Sequence, residues 1–177
     1  MLKPVPSSAN PNQHGQLLAD FAAFARSRAT PEALMQHISD RLHVQLVRYN
    51  WVGFYLTDKK DPSVLVLGPF SGVAPPYPRL SLSQGLLGAA ATAGKTIVVN
   101  DVSTDPRYLK GSEHTKSEIV APMFVQNPWL QSLSVQSPML LNRVAGEMVV
   151  NSYFKDTFDE KERQFVESCA ALVSKYL

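Results

Sequence analysis

The sequence predicts an α+β fold, a central antiparallel sheet with helices packed on one face. Three observations predict it. Stripes of helical period gather near the two ends of the chain. The segments rich in β-branched and aromatic residues lie between them. Runs of strands flanked by runs of helices, rather than strict alternation, are the pattern of an antiparallel sheet covered by helices. No internal repeat is visible, and 177 residues are the usual size of one domain with a core of its own.

Residues 1–14 read as a flexible arm, with Pro4, Pro6 and Pro11 among Ser, Asn and Gln. From 16 to 28 the apolar residues Leu17, Leu18, Phe21, Ala22, Phe24 and Ala25 form one helical stripe. Thr30-Pro31-Glu32 supplies a cap, a first-turn proline and an acid for a second helix running to about Leu42. Residues 44–57 hold Val, Tyr, Trp and Phe in quick succession and read as a strand. The turn Asp58-Lys-Lys-Asp-Pro62 returns the chain into a second strand, 64–70, antiparallel to the first. Pro75, Pro76 and Pro78 make 72–78 an irregular loop. Residues 85–94 form a short helix closed by Gly94, 96–99 a short strand, and 101–116 a polar loop. Strands at 117–125 and 145–153 flank a segment, 126–138, that fits no period and reads as an inserted excursion. The last helix is capped by Asp159, with Glu162 placed for a capping box and a stripe of Phe165, Val166, Cys169, Leu172, Val173 and Tyr176.

Composition narrows the function. A net charge of +2 without a run of Lys or Arg gives no phosphate track, so no nucleic-acid partner is expected. No stretch approaches the ~18 apolar residues of a membrane span, so no membrane partner is expected. No signal-peptide core is legible near the N-terminus, which makes a cytoplasmic location the expectation. The four histidines share no ligand spacing, so no metal or other cofactor is implied. Cys169 is the single cysteine, and its place on the last helix's apolar stripe marks it as a small buried hydrophobe.

Six segments occur in the order found in GAF domains: Trp51-Val-Gly-Phe-Tyr-Leu56, Leu67-Gly-Pro-Phe70, Gly85-Leu-Leu-Gly88, Val98-Val-Asn-Asp-Val102, Ser117-Glu-Ile-Val120 and Thr157-Phe-Asp-Glu160. Over roughly residues 16–176 the chain resembles that family, and most of all its free methionine-(R)-sulfoxide reductases. The resemblance implies a GAF-like sheet with pocket loops on the face away from the helices, and a single GAF domain over 15–177. It also implies a thiol mechanism, in which one cysteine attacks the sulfoxide sulfur and another resolves the sulfenic acid. The three positions matching that family's cysteines hold Pro76-Tyr77, Leu87 and Gly111. The family's tryptophan and its amine-holding glutamate are matched by Trp51 and Glu118. Two aspartates of its site are replaced by Val149 and Asn151.

These readings favour a non-catalytic sensor that binds an unknown small-molecule ligand at Trp51, Tyr77, Glu118 and Asn151. In it Glu118 accepts from a cationic or hydrogen-bond-donating group, Asn151 is a neutral second partner and Trp51 an apolar wall. Trp51 could equally be a core residue, and Glu118 a solvated one. Gly85 and Gly88 could present helix amides to an anion, or serve close packing. Asp101, Asp105 and Glu113 could pair for acid–base chemistry, or be solvated. A divergent reductase and a structural dimerisation module with a filled pocket are the rival readings. The two apolar terminal stripes suggest a homodimer through those helices, and the expected output is signal transduction through dimer geometry or partner binding.

Overall fold

The computed structural model describes residues 11–126 and 142–177. Its elements are α1 (Pro11–Arg26), α2 (Pro31–Gln45), β1 (Trp51–Thr57), β2 (Val64–Ser71), β3 (Arg79–Ser81), α3 (Gly85–Ala93), β4 (Ile97–Val99), β5 (Ser117–Gln126), β6 (Asn142–Ser152) and α4 (Glu160–Ser174), with a 3-10 turn at Val102–Thr104. Six strands form one sheet in the order β3-β2-β1-β6-β5-β4, every neighbouring pair antiparallel. This is the α+β architecture that the sequence predicts.

Strand alternation divides the interior in two. Val52, Phe54, Ile119, Ala121, Met148 and Val150 point to one face. There they meet Leu17 and Phe21 of α1, Leu34, Met35 and Ile38 of α2, and Phe165, Val166 and Cys169 of α4. Trp51, Tyr55, Val120 and Val149 point the other way and form a second cluster with Leu86, Leu87 and Ala90 of α3. The short helix therefore sits with the loops on the second face, not with the other helices as the simplest form of the prediction had it. Gly88 is what lets it sit so close: a Cβ there would lie 2.6 Å from the carbonyl oxygen of Leu82. This favours the packing role over an anion site for that glycine. Gly94 ends α3 in the left-handed region, φ 60°, as its sequence suggests.

Several boundaries differ from the sequence reading. Helix α1 begins at Pro11 and ends at Arg26, so residues 11–14 of the expected arm are helical; residues 1–10 lie outside the described residues. Its first turn is anchored because His14 stacks on Phe165 of α4, ring centroids 3.9 Å apart. Helix α2 continues to Gln45 and β1 starts only at Trp51. Burial of Leu42 and Leu46 outweighs the β-propensity of Val44 and Val47, which are 79% and 77% exposed. Strand β3 was not foreseen; three residues between a proline loop and a turn leave no period to read. Strand β6 begins at Asn142, and the excursion beyond Gln126 lies outside the described residues.

At α4, Asp159 caps as expected, accepting from the amides of Lys161 and Glu162 at 2.9 Å each. The Glu162 side chain does not close a capping box. It is buried, accepts a 2.5 Å hydrogen bond from Tyr49 Oη, and lies 3.5 Å from His14 Nε2. The acid thus ties α4 to α1 and to the turn before β1. Tyr176 lies beyond the helix and is exposed, so the buried stripe ends at Val173.

Candidate functional site

Strand register places three candidate residues in one row. Trp51 of β1 lies opposite Asn151 of β6, and Asn151 lies opposite Glu118 of β5. All three face the side of the sheet covered by α3 and the loops. Above this row is a cavity of ≈ 150 Å³. Trp51, Glu118 and Asn151 form part of its floor with Val149, while Tyr55, Leu80 and Leu87 wall one side, and Val73, Ala74, Pro75 and Tyr77 come from the proline loop. Leu109, Gly111, Ser112 and Thr115 come from the loop before β5, and Tyr153 from the end of β6. The structure thus brings together all four residues singled out from the sequence. Tyr77 is 39% exposed and lines the cavity mouth without filling the interior, so the filled-pocket reading gains no support from it.

Trp51 is held flat by absences of side chain. A Cβ on Gly53 would lie 2.5 Å from Trp51 Cη2, and one on Gly72, whose φ is 118°, would lie 2.8 Å from Trp51 Cδ1. Phe70 stacks on the indole, ring centroids 5.8 Å apart. The two sequence readings of Trp51 are therefore not alternatives, since it is both a core residue and a wall of the cavity. Among the described residues its buried Nε1 has no hydrogen-bond partner, and neither has Oδ1 of Asn151.

Glu118 is 6% exposed, not solvated. Burial alone pushes its carboxyl up to about 8, and no hydrogen bond or ion pair among the described residues offsets it. It also raises its neighbour Tyr55, which burial first and this acid second push to about 12. Tyr55 Oη donates to the carbonyl of Tyr77 at 2.8 Å, fixing the proline loop over the sheet.

The sequence reading missed a second acid. Glu147, opposite Tyr55 on β6, is 0% exposed beneath α3, and neither oxygen meets a donor in hydrogen-bond geometry among the described residues. Burial, then Glu118, hold its carboxyl well above the ordinary range, with slight relief from the backbone at Ala91. Counting by twos from Val149 would have placed it on the buried face. By contrast, the loop acids are committed elsewhere: Asp101 pairs with Lys155 at 2.5 Å, Asp105 with Arg107 at 2.6 Å, and Glu113 with Lys110 at 3.3 Å. They form no acid–base constellation.

Cys169 is 0% exposed in the cluster on the opposite sheet face from the cavity, and burial pushes its thiol far above the usual range. No group of three or more His, Cys, Asp or Glu among the described residues is arranged to hold a metal. None of the helices among those residues is long and apolar enough to cross a membrane.

The chain is similar to known proteins along most of its length. The GAF domain model matches residues 30–177. GAF domain-containing protein A of Dictyostelium discoideum is 30% identical over 136 residues, covering 77% of this chain and 84% of that protein. The free methionine-R-sulfoxide reductase of Saccharomyces cerevisiae is 28% identical over 143 residues, covering 81% of this chain and 69% of that protein. The structure of free methionine-R-sulfoxide reductase from Neisseria meningitidis in complex with its substrate superposes with a TM-score of 0.79 at 25% identity, over 99% of this chain and 95% of that one. Matched by the family model over most of its length and built as a sheet with a loop-covered cavity, the chain belongs to the GAF domain family.

Proposed function

We propose that this protein is a small-molecule-binding regulatory GAF domain that performs no thiol chemistry. The observation that carries this reading is the separation of cavity and sulfur. Among the described residues, the cavity lining holds Asn151 Oδ1, Trp51 Nε1 and Thr115 Oγ1 buried without hydrogen-bond partners and the buried carboxyl of Glu118 with nothing to offset its burial, while Cys169 lies across the sheet in the helical core. Unpartnered polar groups are costly to bury, and a ligand that satisfies them is the simplest reason to retain them. A thiol in apolar surroundings is a poor nucleophile, because the reactive form is the thiolate.

Native mass spectrometry of freshly purified protein tests the binding reading. A bound small molecule is expected on the wild-type chain and not on Val149→Trp, which fills the cavity from its floor. Equal masses of bare chain from both would count against it. The names of the yeast and Neisseria relatives favour a second reading, a divergent methionine sulfoxide reductase. Turnover separates the two. We further propose that binding is read out through a homodimer in the cytoplasm. Light scattering at tens of micromolar should then give about twice the 19.5 kDa chain mass, and a monomeric mass would exclude it.

A further inference from the structure

The cavity's polar and charged groups are unevenly matched to the ligands a pocket of this size could take. Its floor offers one carboxyl, Glu118, and beside it across the strand pair one amide oxygen, Asn151 Oδ1, that has no partner. None of the described residues lining it is Lys, Arg or His, so nothing there answers a ligand carboxylate with charge. Val149, next along β6 on the same face, is apolar. An ammonium would have to draw an ionised Glu118 into a desolvated pair, whose Coulomb gain seldom exceeds the desolvation cost.

Resting on the binding reading above, we infer that the cavity recognises the uncharged carboxamide of a small molecule with an apolar body. One primary amide can meet the Glu118 carboxyl and Asn151 Oδ1 together, leaving the Trp51 indole N–H and Thr115 Oγ1 for other groups of the ligand. Its carbonyl accepts from the Glu118 hydroxyl, one N–H donates to the Glu118 carbonyl oxygen, and the second N–H donates to Asn151 Oδ1. Burial keeps Glu118 protonated at neutral pH, which supplies the hydroxyl that this ring of bonds needs. The apolar body has its own place. Val73, Tyr77, Leu109 and Tyr153 are exposed large hydrophobics, and all four line the cavity, so an apolar collar surrounds its mouth. A ligand longer than the cavity would cover that collar on leaving it.

The test is calorimetric titration of the full chain with four probes sharing one phenyl body: 3-phenylpropionamide, 3-phenylpropylamine, 3-phenylpropionate and phenylalanine. The amide should bind roughly tenfold or more tighter than each of the others, the worth of one to two hydrogen bonds. Asn151→Leu should remove about tenfold of the amide's affinity, and an unchanged affinity would overturn the inference. Equal binding of all four, or tighter binding of the amine or of phenylalanine, overturns the carboxamide inference and leaves the pocket reading standing. Binding of none overturns the inference as well, while the mass spectrometry of wild type against Val149→Trp decides the pocket reading on its own.

Discussion

At the scale of single residues, two buried acids, Glu118 and Glu147, set the electrostatics of the sheet face that carries the cavity. Trp51, Glu118 and Asn151 could be singled out because the motifs that carry the family resemblance placed them. That Glu118 is buried without a partner depends on the loops closing over it, which no local pattern encodes. Glu147 was missed although alternation from Val149 puts it on the same face, because no motif singled it out. The two acids make the clearest residue-scale predictions. Each is held neutral in the folded chain at pH values where the unfolded chain has ionised it. The folded state therefore binds more protons, and stability falls as pH rises from the ordinary carboxylate value of 4.5 towards about 8. Glu118→Gln should flatten that fall, as read by urea unfolding at pH 5 and pH 8; an unchanged slope would mean that Glu118 is ionised in the folded chain. Glu147→Gln should raise the melting temperature by about 2–8 °C at pH 8, the effect of removing a 1–2 kcal/mol burial cost from a chain of this size. A lower melting temperature would reveal a partner for Glu147.

Thiol reactivity follows from position in the same way. Cys169 should resist iodoacetamide until the chain unfolds. A Cβ on Gly111 would meet nothing within 4 Å, and Gly111 lines the cavity, so Gly111→Cys should fold normally and be alkylated in the native state. Native labelling of Cys169, followed by mass spectrometry, would contradict its place in the core.

At the scale of elements, strong local chemistry was readable and competition between neighbours was not. The Thr30-Pro31 start of α2, the Asp159 cap of α4 and the Gly94 stop of α3 all stand where the sequence puts them. The strand expected from Val44 failed because the helix before it had apolar residues still to bury. The capping box failed because Glu162 found Tyr49 and His14, partners 113 and 148 residues away in sequence. Helix α3 offers the sharpest test of an element's placement. Gly88→Ala would press a methyl group against the Leu82 backbone, which cannot yield as a flexible side chain could. It should cost about 1–3 kcal/mol, although alanine is the better helix former by roughly 1 kcal/mol. A stabilised Gly88→Ala, measured by denaturant titration, would show that α3 does not pack on that turn.

At the scale of the whole molecule, the sheet is a partition. One face carries α1, α2, α4 and the only cysteine; the other carries α3, the loops and the cavity. The apolar stripes of α1 and α4 are buried within the chain, a use that the sequence could not distinguish from a dimer interface. The partition is the geometric ground for the proposal of no thiol chemistry, since the sheet itself stands between Cys169 and the cavity. The most direct measurement is turnover of free methionine-(R)-sulfoxide by the purified full chain with a thioredoxin system, following methionine by NMR. No methionine above the protein-free control is the expected result. Methionine formed at a rate proportional to protein, and abolished by Cys169→Ser, would contradict the central claim.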